Sequence, residues 1–244
     1  MSLETYADRI RRLPETGKLT KEDLLVPEFL LEQEGELTMY YAPHNELVNE
    51  VAQLVLIGIT PGWTQMELAF RSVRDDLRSG KVTLSEAEER AKRAAGLAGP
   101  MRSNVVQLLD RCGMHTAMGL SSTASLFGER RELLHTTAVI KYPVFVKGVN
   151  YTGHQPPVGR SALLQRYAYE VLPAELKRLH KVKLWVPLGQ AVSEVLTELA
   201  ERGVVDRERC LLGFPHPSGA NAHRHKQLEE RREDFTSRIR KAWP

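Results

Sequence analysis

Two short stretches hold the residues that could do chemistry. Gly213-Phe214-Pro215-His216-Pro217-Ser218-Gly219-Ala220-Asn221 places a histidine between two prolines, at the end of an apolar run and just ahead of a basic segment. Each proline fixes φ, so His216 has little conformational entropy left to lose and is suited to hydrogen-bond donation, neutral or protonated. Far upstream, Leu54-Val55-Leu56-Ile57-Gly58 reads as a buried strand running into Ile59-Thr60-Pro61-Gly62-Trp63. The glycines of that turn let backbone approach a bound group closely. Both loops are strand ends and are expected at one cleft.

The elements that must position them alternate. A strand over 53–58 is followed by a helix over about 64–78. Ser85-Glu86-Ala87-Glu88 reads as a capping box opening a charged helix toward Ala95, and a further helix is expected over 101–112. A strand over 136–140 leads through the polar loop 147–157 into helical text over 160–181. A third strand over 183–187 stops at Leu188-Gly189, a helix over 190–202 is closed by Gly203, and a fourth strand over 209–214 delivers His216. Residues 1–50 read as a helical extension with loops. The expected fold is α/β: one domain, a three-layer α/β/α sandwich around a mainly parallel four-stranded sheet. Ligands of such sheets bind beyond the carboxyl ends of the strands, where Thr60, Lys141, Gly189 and His216 fall.

Composition sets the limits. The chain has 244 residues, 42% hydrophobic and 27% charged, with a mean hydropathy of -0.34, and no repeat or low-complexity tract. No apolar stretch approaches the ~20 residues of a membrane span and no secretory h-region opens the sequence, so a cytoplasmic location without membrane contact is expected. Cys112 and Cys210 are the only cysteines, too few for an iron-sulfur cluster or a cysteine zinc site, and are expected in the core. No metal and no cofactor are expected. Net charge is only +3, but from Lys177 onward 14 Lys and Arg stand against 9 Asp and Glu. The positive field therefore accompanies the His216 loop and suits an anionic partner.

Gly58-Ile59-Thr60-Pro61-Gly62 resembles the first motif of the uracil-DNA glycosylase superfamily, and His216-Pro217-Ser218 resembles its second. The framework between them has the family's order over about residues 53–235. The resemblance implies a monofunctional DNA glycosylase that hydrolyses the N-glycosidic bond of a flipped-out uracil or modified pyrimidine, leaving an abasic site, with DNA as partner. It implies catalytic roles for Thr60 and His216. The base pocket would be built from Gly58, Ile59, Pro61, Gly62 and Trp63, with Phe70, Thr137 and Lys141 completing it. Pro217, Ser218, Gly219, Ala220, Asn221 and Arg224 would meet DNA, Asn221 or Arg224 filling the space of the extruded nucleotide.

Glycosidic cleavage leaves negative charge on the departing base and positive charge on the sugar, which is what a donor such as His216 would stabilise. Thr60 stands where the family carries a carboxylate or amide, and a hydroxyl is no general base at neutral pH. Gln65 or His154 are alternative water-positioning groups. Thr137 stands in place of a base-reading asparagine. Gly62 stands where some members carry a bulky tyrosine, which would admit a 5-substituted or hypermodified pyrimidine of the kind found in bacteriophage genomes, read by the polar loop beginning at Asn150. That substrate would make the protein one of phage defence instead of DNA repair. Two other classes remain: a non-catalytic DNA- or nucleotide-binding module, and a small-molecule α/β enzyme acting on a nucleoside or sugar phosphate, although no phosphate-binding glycine motif follows the first strand.

Overall fold

The computed structural model describes residues 2–244, with strands β1 Leu30–Glu34, β2 Leu37–Tyr40, β3 Leu54–Gly58, β4 Leu134–Ala138, β5 Val144–Val146, β6 Val149–Asn150 and β7 Leu184–Pro187. They fall into two compact units. One contains the described residues through Leu47 with Thr60–Ala98 and Ile140–Gln165; the other contains Val48–Ile59, Gly99–Val139 and Arg166–Pro244. The fold is mixed α/β.

In the unit holding His216, β3 is the centre of a parallel sheet of order β4-β3-β7, with Leu54 paired to both Leu134 and Leu184. Leu54, Val55, Leu56 and Ile57 are all buried, as an unbroken apolar run requires when both faces of a strand are covered. Each such side chain contributes about 1.5–3 kcal/mol on burial. The four-stranded parallel sheet is corrected to three strands. At 209–214 only an isolated bridge between Trp185 and Cys210 forms, because Gly213 turns the chain at φ 84 and ends the extension. Cys112 and Cys210 are free and buried in this unit, and burial pushes both thiols up to about 12.

The other unit carries an antiparallel sheet of order β1-β2-β5-β6, which the sequence reading did not anticipate. Residues 1–50 are thus only partly helical: Leu3–Arg11 is a helix, but residues 30–40 make a hairpin turning at Gly35, φ 57. The β5–β6 turn is a two-residue one with Lys147 at φ 51 and Gly148 at φ 73, the backbone a tight hairpin demands. The helix Trp63–Ser79 buries Met66, Ala69, Phe70 and Val73 at helical spacing. Its neighbour Leu84–Ala95 buries Ala87, Ala91 and Ala95, a stripe small enough for close approach. That neighbour is capped two residues earlier than expected: Thr83 Oγ1 accepts from Glu86 N at 3.2 Å, and Glu86 returns to Thr83 N at 2.8 Å. No helix among the described residues is long and apolar enough to cross a membrane.

Candidate functional site

His216 is held from three sides within its own unit. Phe214, fully buried against Phe235 with ring centroids 5.7 Å apart, anchors the entry to the loop. Gly213 N donates to Ser193 Oγ at 2.9 Å and Gly189 N to Phe214 O at 3.0 Å, which fastens the loop to the exit of β7. Gly189 has φ 97, and a Cβ there would lie 3.0 Å from His216 Cβ and 3.3 Å from its Cδ2. The imidazole therefore lies directly on a backbone that has no side chain, at the N-terminus of the helix Gln190–Glu201.

The loop fixes the tautomer. His216 Nδ1 accepts from Ser218 N at 3.2 Å, so in the neutral ring Nε2 carries the hydrogen. Burial lowers the His216 pKa from its ordinary value. The positive end of the adjoining helix acts in the same direction. The result is a half-buried, neutral hydrogen-bond donor at the carboxyl end of β7.

The surrounding loop residues divide into struts and tip. Asn104 Nδ2 donates to Pro217 O at 2.7 Å, and Ser218 Oγ accepts from Ala220 N at 3.2 Å. Asn221 Nδ2 donates to His216 O at 3.1 Å and to Gln227 Oε1 at 2.9 Å, which commits both of its amide hydrogens inside the loop and corrects its reading as a space-filling wedge. Arg224 Nη1 donates to Asn221 O at 3.1 Å, while its buried Nε has no partner among the described residues. Gly219 and Ala220 form the exposed tip. In the same unit Gly58 ends β3, with its carbonyl accepting from Val139 N at 2.8 Å; Ile59 is buried, and Thr137 is half-buried opposite Ile57.

The remaining expected residues belong to the other unit. Thr60 Oγ1 donates to Tyr142 O at 2.8 Å and accepts from Val144 N at 3.2 Å. A hydroxyl has one hydrogen, and this one ties the turn to β5, which leaves Thr60 Oγ1 one lone pair to offer a water. Gln65 is likewise committed: its Oε1 accepts from Gly62 N at 3.1 Å and its Nε2 donates to Ala95 O at 3.2 Å. His154 is exposed. Pro61 is buried and Trp63 half-buried. Phe70 is fully enclosed, 4.7 Å from Phe29 and 6.2 Å from Tyr41 by ring centroids, and is a core side chain, not a pocket wall. Lys141 Nζ lies 3.2 Å from Glu46 Oε2, and the Tyr142 hydroxyl donates to the same carboxylate.

Gly62 is not open space. A Cβ on it would lie 3.2 Å from Asn150 Nδ2, because the Asn150 amide sits over the turn with its Oδ1 accepting from Trp63 N at 2.9 Å. The space beside Gly62 is taken up here by the Asn150 side-chain amide. Asn150 reaches this place through the β5–β6 hairpin, whose sequence Val144-Phe145-Val146-Lys147-Gly148-Val149-Asn150 carries the turn signal of a glycine at a hairpin tip.

No family model matches the chain. The crystal structure of wild-type Pedobacter heparinus SMUG2 aligns over 96% of each chain at a TM-score of 0.45 and 10% identity, a likeness that transfers no residue roles. An uncharacterized protein of Bacillus subtilis (strain 168), YoxB, is 45% identical over 238 residues, covering 98% of this chain and 92% of its own length. Identity of that degree over nearly the full length of both chains means that this chain belongs to the same family as YoxB.

Proposed function

We propose that this protein is a monofunctional DNA glycosylase that hydrolyses the N-glycosidic bond of uracil or a modified pyrimidine in DNA, leaving an abasic site. The observation that carries the reading is His216: a neutral imidazole, its Nδ1 occupied by Ser218 N, its ring seated on Gly189 and its Nε2 hydrogen left as the donor. Breaking the bond sends an electron pair to the base, and a fixed donor aimed at the resulting anion lowers the barrier without a proton transfer. The sugar becomes an oxocarbenium-like cation, which captures water readily, so a strong general base is not required. That chemistry accommodates a chain in which the Thr60 hydroxyl is committed to Tyr142 O. The nucleotide has to leave the helical stack to be cleaved, and the exposed Gly219-Ala220 tip beside a basic segment suits contact with the phosphate backbone.

Incubation with oligonucleotides containing uracil, 5-substituted uracils, hydroxymethylcytosine and its glucosylated form, followed by alkaline cleavage, tests the reading. Strand scission with at least one substrate is the expected result; the substrate cleaved separates repair from action on phage-type bases. One observation favours a second reading, a DNA-binding module without catalysis: the turn at Thr60 presents no group able to take a proton from water. Salt-sensitive DNA binding with no scission on any substrate would establish the module and exclude the glycosylase.

A further inference from the structure

The peptide group between Pro217 and Ser218 is hydrogen-bonded on both of its sides. Its N–H, on Ser218, donates to His216 Nδ1 at 3.2 Å, and its C=O, on Pro217, accepts from Asn104 Nδ2 at 2.7 Å. One planar group therefore joins the imidazole to a side chain far away in the sequence. Asn104, His216 and the peptide between them all lie in the same compact unit.

Little else orients that peptide. The amide is planar and the Pro217 ring fixes φ, so the direction of the Ser218 N–H follows from one free angle, ψ of Pro217. Rotation about that angle turns N–H and C=O together, the first away from Nδ1 and the second away from Asn104. Donation to the carbonyl also polarises the amide and makes its N–H a better donor, since bonds in such a chain strengthen one another by about 10–30% each.

Asn104 acts from a rigid place. It stands in the second turn of the helix Pro100–Arg111, which opens with proline at its first turn and buries Val105, Leu108 and Leu109. Asparagine is a poor residue for a helix interior, because its amide competes for nearby backbone groups. Here the half-buried amide reaches out of the helix to the His216 loop. At the far end of the chain, the Ser218 hydrogen and a hydrogen on Nδ1 cannot share one gap. The Ser218 N–H thus opposes the tautomer protonated on Nδ1, and with it the imidazolium, which needs both nitrogens protonated. Burial acts in the same direction by lowering the His216 pKa.

We propose that Asn104 is a positioning residue for His216: acting through the Pro217–Ser218 peptide, it locks the ring with Nδ1 as acceptor and Nε2–H as the available donor. The effect on catalysis rests on the glycosylase reading; the lock on the tautomer does not.

The test reads the imidazole directly. In full-length protein carrying isotope-labelled histidine, proton–nitrogen correlation NMR resolves the ring nitrogens, and of the eight histidines the His216 pair is the one missing from His216→Ala. Wild type is expected to show widely separated shifts, from a protonated Nε2 and a bare Nδ1. Asn104→Leu and Asn104→Asp both remove the donor, one without a charge and one with it. Leucine is the better helix former, so the helix survives the change. In both variants the two shifts should move toward one another as the second tautomer becomes populated, and the His216 pKa should rise. Single-turnover scission at saturating DNA should slow about 2- to 10-fold, the net worth of one hydrogen bond, with DNA affinity unchanged. Wild-type shifts and pKa in both variants would overturn the assignment and leave Asn104 a strut. A change confined to Asn104→Asp would overturn it as an effect of charge. So would either readout moving without the other in a protein that cleaves DNA. If the wild type cleaves no substrate, the glycosylase reading fails, and the ring-nitrogen shifts still decide whether Asn104 holds the imidazole.

Discussion

A neutral imidazole gives a hydrogen bond without giving up its proton, and that distinction decides what removal of His216 should do. In the proposed reaction its donor acts on charge that exists only as the bond breaks, so His216→Ala should slow single-turnover scission by about 10²- to 10³-fold while leaving DNA affinity almost unchanged. Equal single-turnover rates for the two proteins would take His216 out of the reaction. A second histidine bears on stability in acid instead. His44, held neutral with a folded pKa lowered to about 3, must gain a proton on unfolding in acid, where the exposed side chain titrates near 6.5. A base whose folded pKa is depressed contributes its full stability above the unfolded pKa and loses it as pH falls. The melting temperature should therefore drop between pH 6.5 and about 3, and His44→Gln should flatten that part of the profile. Parallel slopes for wild type and variant across the range would show that other groups set the acid limit. Both residues were open to sequence reading to different degrees: His216 announces itself by its flanking prolines, whereas nothing in Ala42-Pro43-His44-Asn45 tells that the imidazole is enclosed without a protein partner.

At the level of elements, strands with unbroken apolar runs were legible and strands with mixed surfaces were not. β3 and β7 were located within a residue or so, because Leu54-Val55-Leu56-Ile57 and Leu184-Trp185-Val186 have no polar interruption. The hairpin of β1 and β2 escaped notice since Glu32, Gln33 and Glu34 blur its alternation, and its pairing with β5 is a long-range contact that no local pattern encodes. The strand before His216 fails for a legible reason read too weakly: Gly213 can take φ 84, and two prolines follow within four residues. The turn at Gly189 gives the test at this scale. Gly189→Ala combines a backbone φ of 97 with a Cβ placed 3.0 Å from His216 Cβ, while Gly203→Ala imposes similar backbone strain at φ 71 with no atom within 4 Å. Both should lose about 1–3 kcal/mol of stability. Only Gly189→Ala should also cut scission per folded molecule, because only there does the new methyl displace the imidazole. Equal activity losses in the two variants would mean that the Gly189 contact does not position His216.

Over the whole molecule, charge bears on the proposed DNA partner, and pairing decides which charges count. The excess of five positive charges from Lys177 onward lies within one unit. Many of these groups are already spoken for: Arg178 by Glu50, Arg202 by Glu198, Arg232 by Glu229, and Arg238 by Asp234. Exposed Lys226 has no ion-pair partner among the described residues, and Arg224 gives one guanidinium hydrogen, from Nη1, to the carbonyl of Asn221, inside the loop that carries His216. The two cations, two residues apart, should therefore fail differently when removed. Each phosphate contact contributes about 0.9 to the slope of log affinity against log salt on duplex DNA, so Lys226→Ala should make that slope shallower by about one and weaken binding uniformly across sequences, with scission at saturation intact. Arg224→Ala should slacken the loop and reduce scission at saturating DNA, more on duplex than on single strands, where no base has to be extruded from a stack. Affinity and single-turnover rate measured for both variants on both substrates over a salt series decide the matter: identical behaviour of the two variants would erase the distinction between a brace and a phosphate contact, and wild-type slopes and rates in both would remove this helix from the DNA-binding surface.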